Sequence, residues 1–594
     1  MLDPDRFRLA FSAVFRSSGS LVRVFRSTAR THSFASTLKL STIETAIMPS
    51  AAPLGSVGTP NLSKRVFYGT LVHSLSLTEI EYLENALLGV DEHGVIAFLD
   101  KAVSSAADVD QRLEAHGWSR QDAQVVELKR GEFLMPGLID THTHAPQYLN
   151  LGYGQQYELL DWLDNLTFPA EAKFADASYA RRVYNSVVER VISTGTTTCC
   201  WYGTIHSTTK LLAAVCHRRG QRAFVGKCNM DRNSADYYQE ESAQKSLEDT
   251  EDYVSWVRKH CDSSATTATQ TVAPSKTPRK STALVQPILT PRFAISCSDE
   301  LMSGLGDMMD RDPELPLQTH LAENPAEVEF ALSLYPGIES YTAAYDRFRL
   351  LRPNTVLAHC VFLSSSELDL IKARQSGISH CANSNFNLRS GTARVADMLD
   401  QGIKVSLGTD NSGGTAIGIL SAIRSASTCS KTIIFHERNQ PKNETKSSSK
   451  VVNADGISRP SGFFASTHLS VETLFYLATL GGAQVCNLED RIGNFIVGKE
   501  FDALLVQTGQ KEAVVAGTNG NANGAKASLL EDELEKALAG GDSVLEDGVE
   551  NPALMLESDE GIERVFEKFL FTGDDRNLRA VFVRGRQIGG RETL

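Results

Sequence analysis

The sequence predicts an α/β fold: a (β/α)8 TIM-type barrel together with a small, sandwich-like β-sheet domain that is built from both chain ends. Three observations support this expectation. Apolar strand-like runs alternate with longer amphipathic stretches between about residues 138 and 488, which is typical of parallel strands joined by helices. Several of these runs end in a polar residue, as barrel strands do at their functional face. Short β-rich runs separated by turn residues occur near both ends of the chain.

Eight strand-like segments account for the predicted barrel. Each is short and rich in apolar or β-branched residues, and each is followed by a stretch long enough for a helix. The predicted strands are Leu138–Asp140, Thr196–Cys200, Ala223–Lys227, Val285–Leu289, Leu317–His320, Thr355–His359, Gly377–His380 and Ile403–Gly408.

The remaining segments divide the chain outside the barrel. The β-rich runs near the two ends are expected to form one composite domain, and stretches rich in Ser, Thr, Gly or Asn are expected to be surface insertions. The predicted organisation is a disordered or targeting extension at 1–60, a composite β domain at 61–137 and 489–594 with a flexible insertion around 509–560, and a barrel at 138–488 with low-complexity insertions at 263–281 and 439–460.

Net charge and apolar content narrow the class of protein. Lys and Arg number 59 and Asp and Glu number 72, which gives a formal net charge of −13. Because an acidic surface repels phosphates, we expect neither a nucleic-acid polymer nor a membrane as partner. No uninterrupted apolar run reaches the length of about 18 residues that a membrane-spanning helix needs. The expected partner is a small molecule.

The first 47 residues differ in composition from the rest, because they are rich in Arg and Ser and poor in acids. This composition is typical of a mitochondrial transit peptide, although Asp3 and Asp5 count against one. A disordered tail and a translation start at Met48 are the alternatives. Ten Cys residues in 594 are too few for a disulfide scaffold, which favours a reducing compartment. We therefore expect a cytoplasmic protein, with mitochondrial targeting as the alternative.

Histidines and one aspartate at predicted strand ends indicate a metal site. His142 and His144 lie at i and i+2 on an extended segment, so both imidazoles point to the same side. His320 ends a later predicted strand, and Asp410 follows the last one. Since the carboxyl ends of barrel strands meet at one face, these four side chains are the expected ligands. Three imidazoles and a carboxylate suit zinc with an open position for water, which predicts a hydrolytic reaction.

Two further side chains are expected beside that site. Glu323 follows His320 by three residues, and a carboxylate there can move the proton of an activated water. Glu323 also lies where a helix begins, and the helix dipole favours an acid at such a position. His359 is expected to polarise the water and stabilise a tetrahedral intermediate, with a fifth ligand position as the alternative. A second metal would normally call for a bridging ligand such as a modified lysine, and Lys227 is the only lysine at a predicted strand end.

At this point the sequence resembles a known family, the amidohydrolase superfamily, and within it the guanine deaminases. The resemblance runs from about residue 65 to residue 590, with the insertions excepted. It rests on Met135–Gln147 (MPGLIDTHTHAPQ), Leu289–Phe293 (LTPRF), Gln318–Asn324 (QTHLAEN), Leu407–Asp410 (LGTD) and Ile492–Ala503 (IGNFIVGKEFDA).

The resemblance implies that guanine and water react to give xanthine and ammonia, with one Zn²⁺ per subunit of a homodimer. It implies that Glu323 passes a proton to a ring nitrogen and then to the leaving amine. His359 and Asp410 would steady the tetrahedral centre. These three residues are therefore the expected catalytic residues.

The same resemblance implies how the base is bound. Gln147 and Arg292 would hydrogen-bond the purine edge, including its carbonyl, and Phe293 would line the base pocket. A site built to pair with a carbonyl leaves its donors unsatisfied when a ligand presents an amine there, which explains selectivity against adenine. The expected substrate contacts are His144, Gln147, Arg292, Phe293, His320, Glu323 and Asp410.

Two other functions remain as alternatives. A related amidohydrolase could deaminate or dechlorinate another heterocycle, such as a triazine, a pterin or cytosine, and the pair of Gln147 and Arg292 distinguishes this reading from the first. A non-catalytic scaffold on the same barrel would be expected to lack a ligand or Glu323, and the sequence contains them all.

Overall fold

Two kinds of β-sheet organise the chain, one mixed and built from its ends, the other parallel and built from its middle. The computed structural model describes residues 62–261, 283–438, 449–508, 534, 551, 553–554, 556–557 and 559–594. The predicted extension at 1–60 and the predicted insertion at 263–281 lie outside the described residues. The first part of the insertion at 439–460 and most of the insertion at 509–560 also lie outside them.

The strands of the described residues are numbered in chain order. They are β1 (Lys64–Ser76), β2 (Glu79–Val90), β3 (Ile96–Asp100), β4 (Ala123–Glu127), β5 (Glu132–Pro136), β6 (Leu138–His144), β7 (Thr196–Tyr202), β8 (Arg222–Gly226), β9 (Cys228–Asn229), β10 (Val285–Pro287), β11 (Thr290–Pro291), β12 (Leu317–Leu321), β13 (Thr355–His359), β14 (Gly377–His380), β15 (Lys404–Leu407), β16 (Lys450–Val452), β17 (Ser458–Pro460), β18 (Ala503–Gln507), β19 (Leu578–Val583) and β20 (Arg586–Gly589).

Helices follow most of the parallel strands, and side-chain caps fix where several of them begin. The α-helices are Val109–Ala115, Leu159–Trp162, Phe168–Ala172, Ala177–Ser193, Thr209–Arg219, Ala243–Cys261, Asp299–Arg311, Pro325–Leu334, Tyr341–Arg347, Ser365–Arg374, Ala382–Asn387, Val395–Asp400, Ile419–Arg438, Val471–Ala478, Leu480–Val485 and Ile562–Thr572. Ser364 caps one of these helices through a capping box with Glu367. Among the described residues, none of the helices combines the length and the apolar character that crossing a bilayer requires.

All eight predicted barrel strands are confirmed as strands, and they form two parallel sheets of four. One sheet has the order β10-β8-β7-β6, and the other has the order β12-β13-β14-β15. A bridge between Leu289 and Leu317 links the two sheets. Near the ends of β15 and β6, the Asp410 N–H donates to the His142 carbonyl at 2.9 Å. Within the described residues β15 and β6 do not pair as strands, so strand pairing alone does not close a barrel.

The parallel strands are covered on both faces. Every residue of β6 and β7 is buried, including the polar ones. Complete burial is typical of parallel strands packed under helices, and it means that polar side chains on these strands must find partners inside the protein. This burial gives the strand-end histidines their dry surroundings.

Strands from both chain ends lie in the mixed sheet. Its order is β20-β19-β18-β5-β1-β2-β3, and β4 pairs with β1. The strands belong to one sheet, so a sandwich of two separate sheets is not seen in this part of the described chain. A buried ion pair joins the two regions: Arg222 on β8 donates to Asp502, next to β18, at 2.8 and 3.0 Å.

The described part of the insertion at 439–460 is an antiparallel hairpin of β16 and β17. Its turn is fastened by Arg459, which donates to Asp455 at 2.7 and 2.9 Å. Asp455 in turn accepts the Leu77 N–H at 3.0 Å, so the hairpin is attached to the mixed sheet. A segment that looks low in complexity therefore makes specific buried contacts.

Candidate active site

Four donor side chains converge where strands of the two parallel sheets end. His142 and His144 come from β6, His320 from β12, and Asp410 from the turn after β15. Their donor atoms all lie within 4.8 Å of one another. Asp410 Oδ1 is 3.3 Å from the Nε2 atoms of both His142 and His144. The four predicted ligands are thus brought together.

Burial sets the protonation of this cluster. It lowers the pKa of all three imidazoles, that of His142 to about 3, so they are neutral at pH 7. Burial opposes the charge on Asp410, but the approach of His142 and His144 outweighs it and holds the pKa of that carboxyl well below its usual range. The cluster therefore offers three nitrogen lone pairs and one carboxylate.

This donor set fits a zinc-like cation. Nitrogen and carboxylate donors are those that Zn²⁺ takes in catalytic sites. His142 Nε2 lies 3.3 Å from Asp410 Oδ1, but it makes no hydrogen bond of normal geometry among the described residues. The Nε2 atoms of His144 and His320 face each other at 3.2 Å, and a cation shared by them would satisfy both lone pairs. The buried, unpartnered nitrogen is the observation that favours a metal over a hydrogen-bonded structural cluster.

Glu323 and His359 lie beside the four donors. His359 Nε2 is 3.4 Å from Glu323 Oε2 and 3.8 Å from Asp410 Oδ2. Ser390 donates to Glu323 Oε1 at 3.0 Å, and the His359 Nδ1 atom is 2.9 Å from Asn385 Oδ1. Ser390 and Asn385 thus hold the two side chains in place, which leaves Glu323 Oε2 and His359 Nε2 facing each other beside Asp410.

The two groups have shifted proton affinities. Burial raises the pKa of Glu323 to about 7, helped by the charge of Asp410. Burial disfavours the charged form of His359, but the charges of Glu323 and Asp410 outweigh it and raise the pKa of that imidazole. A carboxyl that gains and loses a proton near neutral pH suits general acid–base chemistry.

Backbone geometry at these turns is unusual. His359 and Asp410 have φ values of 70° and 46°, and Ala322, next to Glu323, has a φ of 51°. Residues other than glycine adopt this left-handed region at a cost, and they do so most often at functional sites. The turns that present the candidate reactive side chains thus include three of the ten described residues other than glycine in this region.

A cavity of about 380 Å³ that opens to solvent lies in front of the cluster. The three residues expected to bind the base line its wall, and all three are buried: Gln147 follows β6, while Arg292 and Phe293 follow β11. Trp162 lines the same cavity. Seven of the nine predicted site residues line this cavity, and the other two, His142 and His359, contact Asp410 beside it.

Sequence reasoning missed Glu171. This carboxylate is fully buried in the helix Phe168–Ala172 and accepts hydrogen bonds from Arg292 at 2.8 and 3.2 Å. It also accepts from Gln147 Nε2 at 2.9 Å and from the Tyr238 hydroxyl at 2.6 Å. In the sequence Glu171 is an ordinary helix acid, so only its tertiary contacts reveal it.

Two other candidate ligands have different surroundings. Lys227 forms a buried ion pair with Glu240, which occupies the amine that a second metal would need. Cys381 lies within 4.8 Å of the donor atoms of His142 and His359. Burial raises the pKa of the Cys381 thiol well above its usual value, so it is present as the neutral thiol.

Comparisons with known proteins give a consistent result. Residues 133–588 match the amidohydrolase family. A guanine deaminase of Dictyostelium discoideum is 39% identical over 529 residues, which cover 88% of this chain and 98% of that protein. A guanine deaminase of Rattus norvegicus is 36% identical over 524 residues, which cover 88% of this chain and 96% of that protein.

A solved structure is similar over nearly the whole length. The crystal structure of guanine deaminase from C. acetobutylicum, with guanine bound in its active site, is 29% identical in sequence and has a TM-score of 0.66. The match covers 89% of this chain and 100% of that one.

Proposed function

This chain belongs to the amidohydrolase family, and from that membership and the geometry of the site we propose that it is a guanine deaminase, which hydrolyses guanine to xanthine and ammonia. The observation that carries the proposal is the cavity itself. The His144, His320 and Asp410 donors line it, with His142 beside them, and its wall also holds the buried Arg292 and Gln147. A single bound molecule can therefore contact both the proposed metal donors and the side chains proposed to bind a purine.

We propose that the four donors hold one Zn²⁺ ion per subunit. When bound there, the ion would supply Lewis-acid activation of water at neutral pH. The donor types and the unpartnered His142 Nε2 support this proposal. His359 is not assigned as a ligand, because its Nε2 atom lies toward Glu323.

The wall of the cavity accounts for recognition of the base. Arg292 and Gln147 would hydrogen-bond the carbonyl edge of guanine, and the Phe293 ring would pack against the base. Arg292 is paired with Glu171, so this part of the wall carries no net charge and suits a neutral ligand. The proposed substrate contacts are His144, Gln147, Arg292, Phe293, His320, Glu323 and Asp410.

Glu323 would move the protons. As water adds to C2 of guanine, Glu323 takes a proton from that water and passes it to the neighbouring ring nitrogen. Glu323 then transfers the proton of the hydroxyl on C2 to the exocyclic amine, which leaves as ammonia while a carbonyl forms at C2. His359 and Asp410 would stabilise the charge of the tetrahedral carbon centre between these steps.

The larger organisation is also proposed. The bridge at Leu289 and the bond between Asp410 and His142 support closure of the eight parallel strands into a (β/α)8 barrel at 138–488. The ring of Phe67 packs against Phe501 across the mixed sheet, which supports a curled, sandwich-like domain at 61–137 and 489–594.

We propose further that the protein works as a cytoplasmic homodimer. The dimer follows from the family resemblance. All ten cysteines are free thiols, in keeping with a reducing compartment. These two statements are tested by the molar mass of the purified protein in solution and by the location of the tagged protein in cells.

A substrate panel tests the proposed activity. Purified protein loaded with Zn²⁺ is incubated separately with guanine, adenine, cytosine, a pterin and a chlorinated triazine, and release of ammonia or chloride is followed. We expect ammonia from guanine at a rate far above that from the other compounds. Release from another heterocycle but not from guanine would overturn the substrate assignment, and no release from any compound would favour the scaffold reading.

A further inference from the structure

Glu171 lies behind the recognition wall of the cavity and contacts every polar group of that wall expected to bind the base edge. It is fully buried, and its two oxygens accept four hydrogen bonds from three side chains. Three of these bonds come from Arg292 and Gln147, and the fourth comes from Tyr238. The carboxylate has no direct place in the cavity lining, so it would act through the residues that it holds.

The direction of the Gln147 amide is fixed from both ends. Its Nε2 atom donates to Glu171, and its Oε1 atom accepts the Ser412 N–H at 3.1 Å. Because a carboxylate accepts and a backbone N–H donates, rotating the amide by 180° would place like groups together at both contacts. The hydrogen-bond polarity that Gln147 presents to a ligand is therefore decided by Glu171 and the Ser412 backbone.

The Arg292 guanidinium forms a bidentate ion pair with Glu171. Both terminal nitrogens donate to Glu171, and the guanidinium carbon lies 5.4 Å from the centre of the Phe168 ring. Such bidentate pairing fixes the plane of the guanidinium as well as its position. Since Arg292 also lines the cavity, its remaining N–H groups are presented there in a set direction.

Charge gives the pair a second consequence. An isolated buried guanidinium would attract an anion, whereas the ion pair of Arg292 with Glu171 is neutral overall. A neutral wall that still presents N–H donors suits an uncharged base with a carbonyl acceptor.

We propose that Glu171 is the positioning residue that determines specificity for a purine with a carbonyl at C6, because it holds both Arg292 and Gln147. The inference rests on the proposed function, since it names how the same cavity selects guanine. It predicts that loss of the Glu171 carboxylate weakens recognition of the carbonyl more than it weakens the chemistry.

The test compares guanine with 2-aminopurine, which has the same amino group at C2 but no carbonyl at C6. For wild type and Glu171→Gln, the experiment measures kcat and KM for guanine and the inhibition constant of 2-aminopurine. We expect the KM for guanine to rise by at least about tenfold, while the inhibition constant of 2-aminopurine changes by less than about threefold. If the KM for guanine and the inhibition constant of 2-aminopurine rose by the same factor, or if neither changed, the inference would be overturned.

Two variants keep the test decisive if Glu171→Gln folds poorly. Tyr238→Phe removes one donor to Glu171 from outside the cavity lining, and it should shift guanine recognition in the same direction by a smaller factor. Glu240→Gln removes another buried carboxylate, which pairs with Lys227, and should leave the ratio of the two constants unchanged. An unchanged ratio in Tyr238→Phe together with an unfolded Glu171→Gln would overturn the inference.

The two proposals fail in different ways. If wild-type protein releases no ammonia from guanine, the proposed function is wrong, whatever the variants do. If wild type is active on guanine and the Glu171 and Tyr238 variants keep the wild-type ratio of the two constants, only the role assigned to Glu171 is wrong. The proposed function then stands.

Discussion

Two buried carboxylates in the same cluster have pKa values that move in opposite directions. Asp410 is flanked by His142 and His144, and its pKa lies well below the usual range despite burial. For Glu323, the charge of His359 and the hydrogen bond from Ser390 offset only part of the effect of burial, so burial raises its pKa to about 7. Paired groups whose environments separate their pKa values are typical of distinct roles in one site. The contrast supports Asp410 as a permanent anion for a cation and Glu323 as the group that exchanges protons.

The first prediction concerns that proton exchange. Glu323→Gln keeps the size of the side chain but cannot take a proton, so we expect kcat with guanine to fall by at least about 100-fold. The KM for guanine should change far less, because Arg292 and Gln147 remain. Steady-state kinetics of ammonia release measure both constants.

The matched control is Glu329→Gln, an exposed carboxylate on the helix that follows Glu323, Pro325–Leu334. It should retain wild-type kcat and the same bound zinc. Full activity of Glu323→Gln, with its own zinc content equal to that of wild type, would contradict the proton-transfer role.

At the scale of elements, the strand ends and the helix starts that follow them position the site. Glu323 lies at such a junction: its N–H and that of Asn324 donate to Glu327 at 2.7 and 3.2 Å, in the first turn of the next helix. The helix start therefore holds the backbone of the proposed proton carrier. Helix caps that lie outside the cavity lining should, in contrast, affect only stability.

Ser364 provides a test of that distinction. Its side chain caps the helix Ser365–Arg374 and is paired with Glu367 in a capping box. We expect Ser364→Ala to lower the free energy of unfolding by about 1 kcal/mol, because a backbone N–H at the helix start loses its acceptor. Urea unfolding followed by circular dichroism measures the change.

Two control variants bracket this effect. Ser364→Thr keeps the capping hydroxyl, and Ser365→Ala removes a neighbouring exposed hydroxyl, so both should stay within about 0.5 kcal/mol of wild type. All three variants should have wild-type kcat with guanine. A lowered kcat in Ser364→Ala would show that this helix start is coupled to the site.

At the scale of the whole molecule, the site joins distant parts of the chain. His142 and Asp410 come from the first and last strands of the two parallel sheets, and their contact spans the region between those sheets. A cation bound by both would therefore link the sheets in the folded state only. Binding of that kind stabilises the whole fold by mass action.

Metal removal should show this link. We expect chelation to abolish guanine deamination and to lower the melting temperature, with both recovered when Zn²⁺ is added back. A ligand at 100 times its dissociation constant stabilises a fold by about 2.7 kcal/mol, so the shift should be readily measured. Differential scanning calorimetry and metal analysis provide the readouts.

The control for metal removal is His142→Asn, which lacks one donor and should show no further loss of melting temperature on chelation. If wild-type protein stripped of metal melted at the same temperature as the loaded form, the cluster would not be a metal site.

The sequence by itself determined the eight parallel strands, and it predicted the donor set and the chemistry. These features are local: strands show in runs of apolar residues, and His142, His320 and Asp410 each follow or end such a run. Because parallel strands end at one edge, the three side chains were expected to lie together. The roles of the individual residues stay predictions until they are tested.

Only the tertiary structure decided how the recognition wall is held and how the insertion at 439–460 contributes. Glu171 and Arg292 are 121 residues apart, and the contact between Leu77 and Asp455 spans 378 residues. Neither pairing leaves a periodic or spaced signal in the sequence, because each depends on where whole elements pack. Proton affinities were decided in the same way, since burial and the approach of distant charges, rather than residue type, separate Glu323 from Asp410.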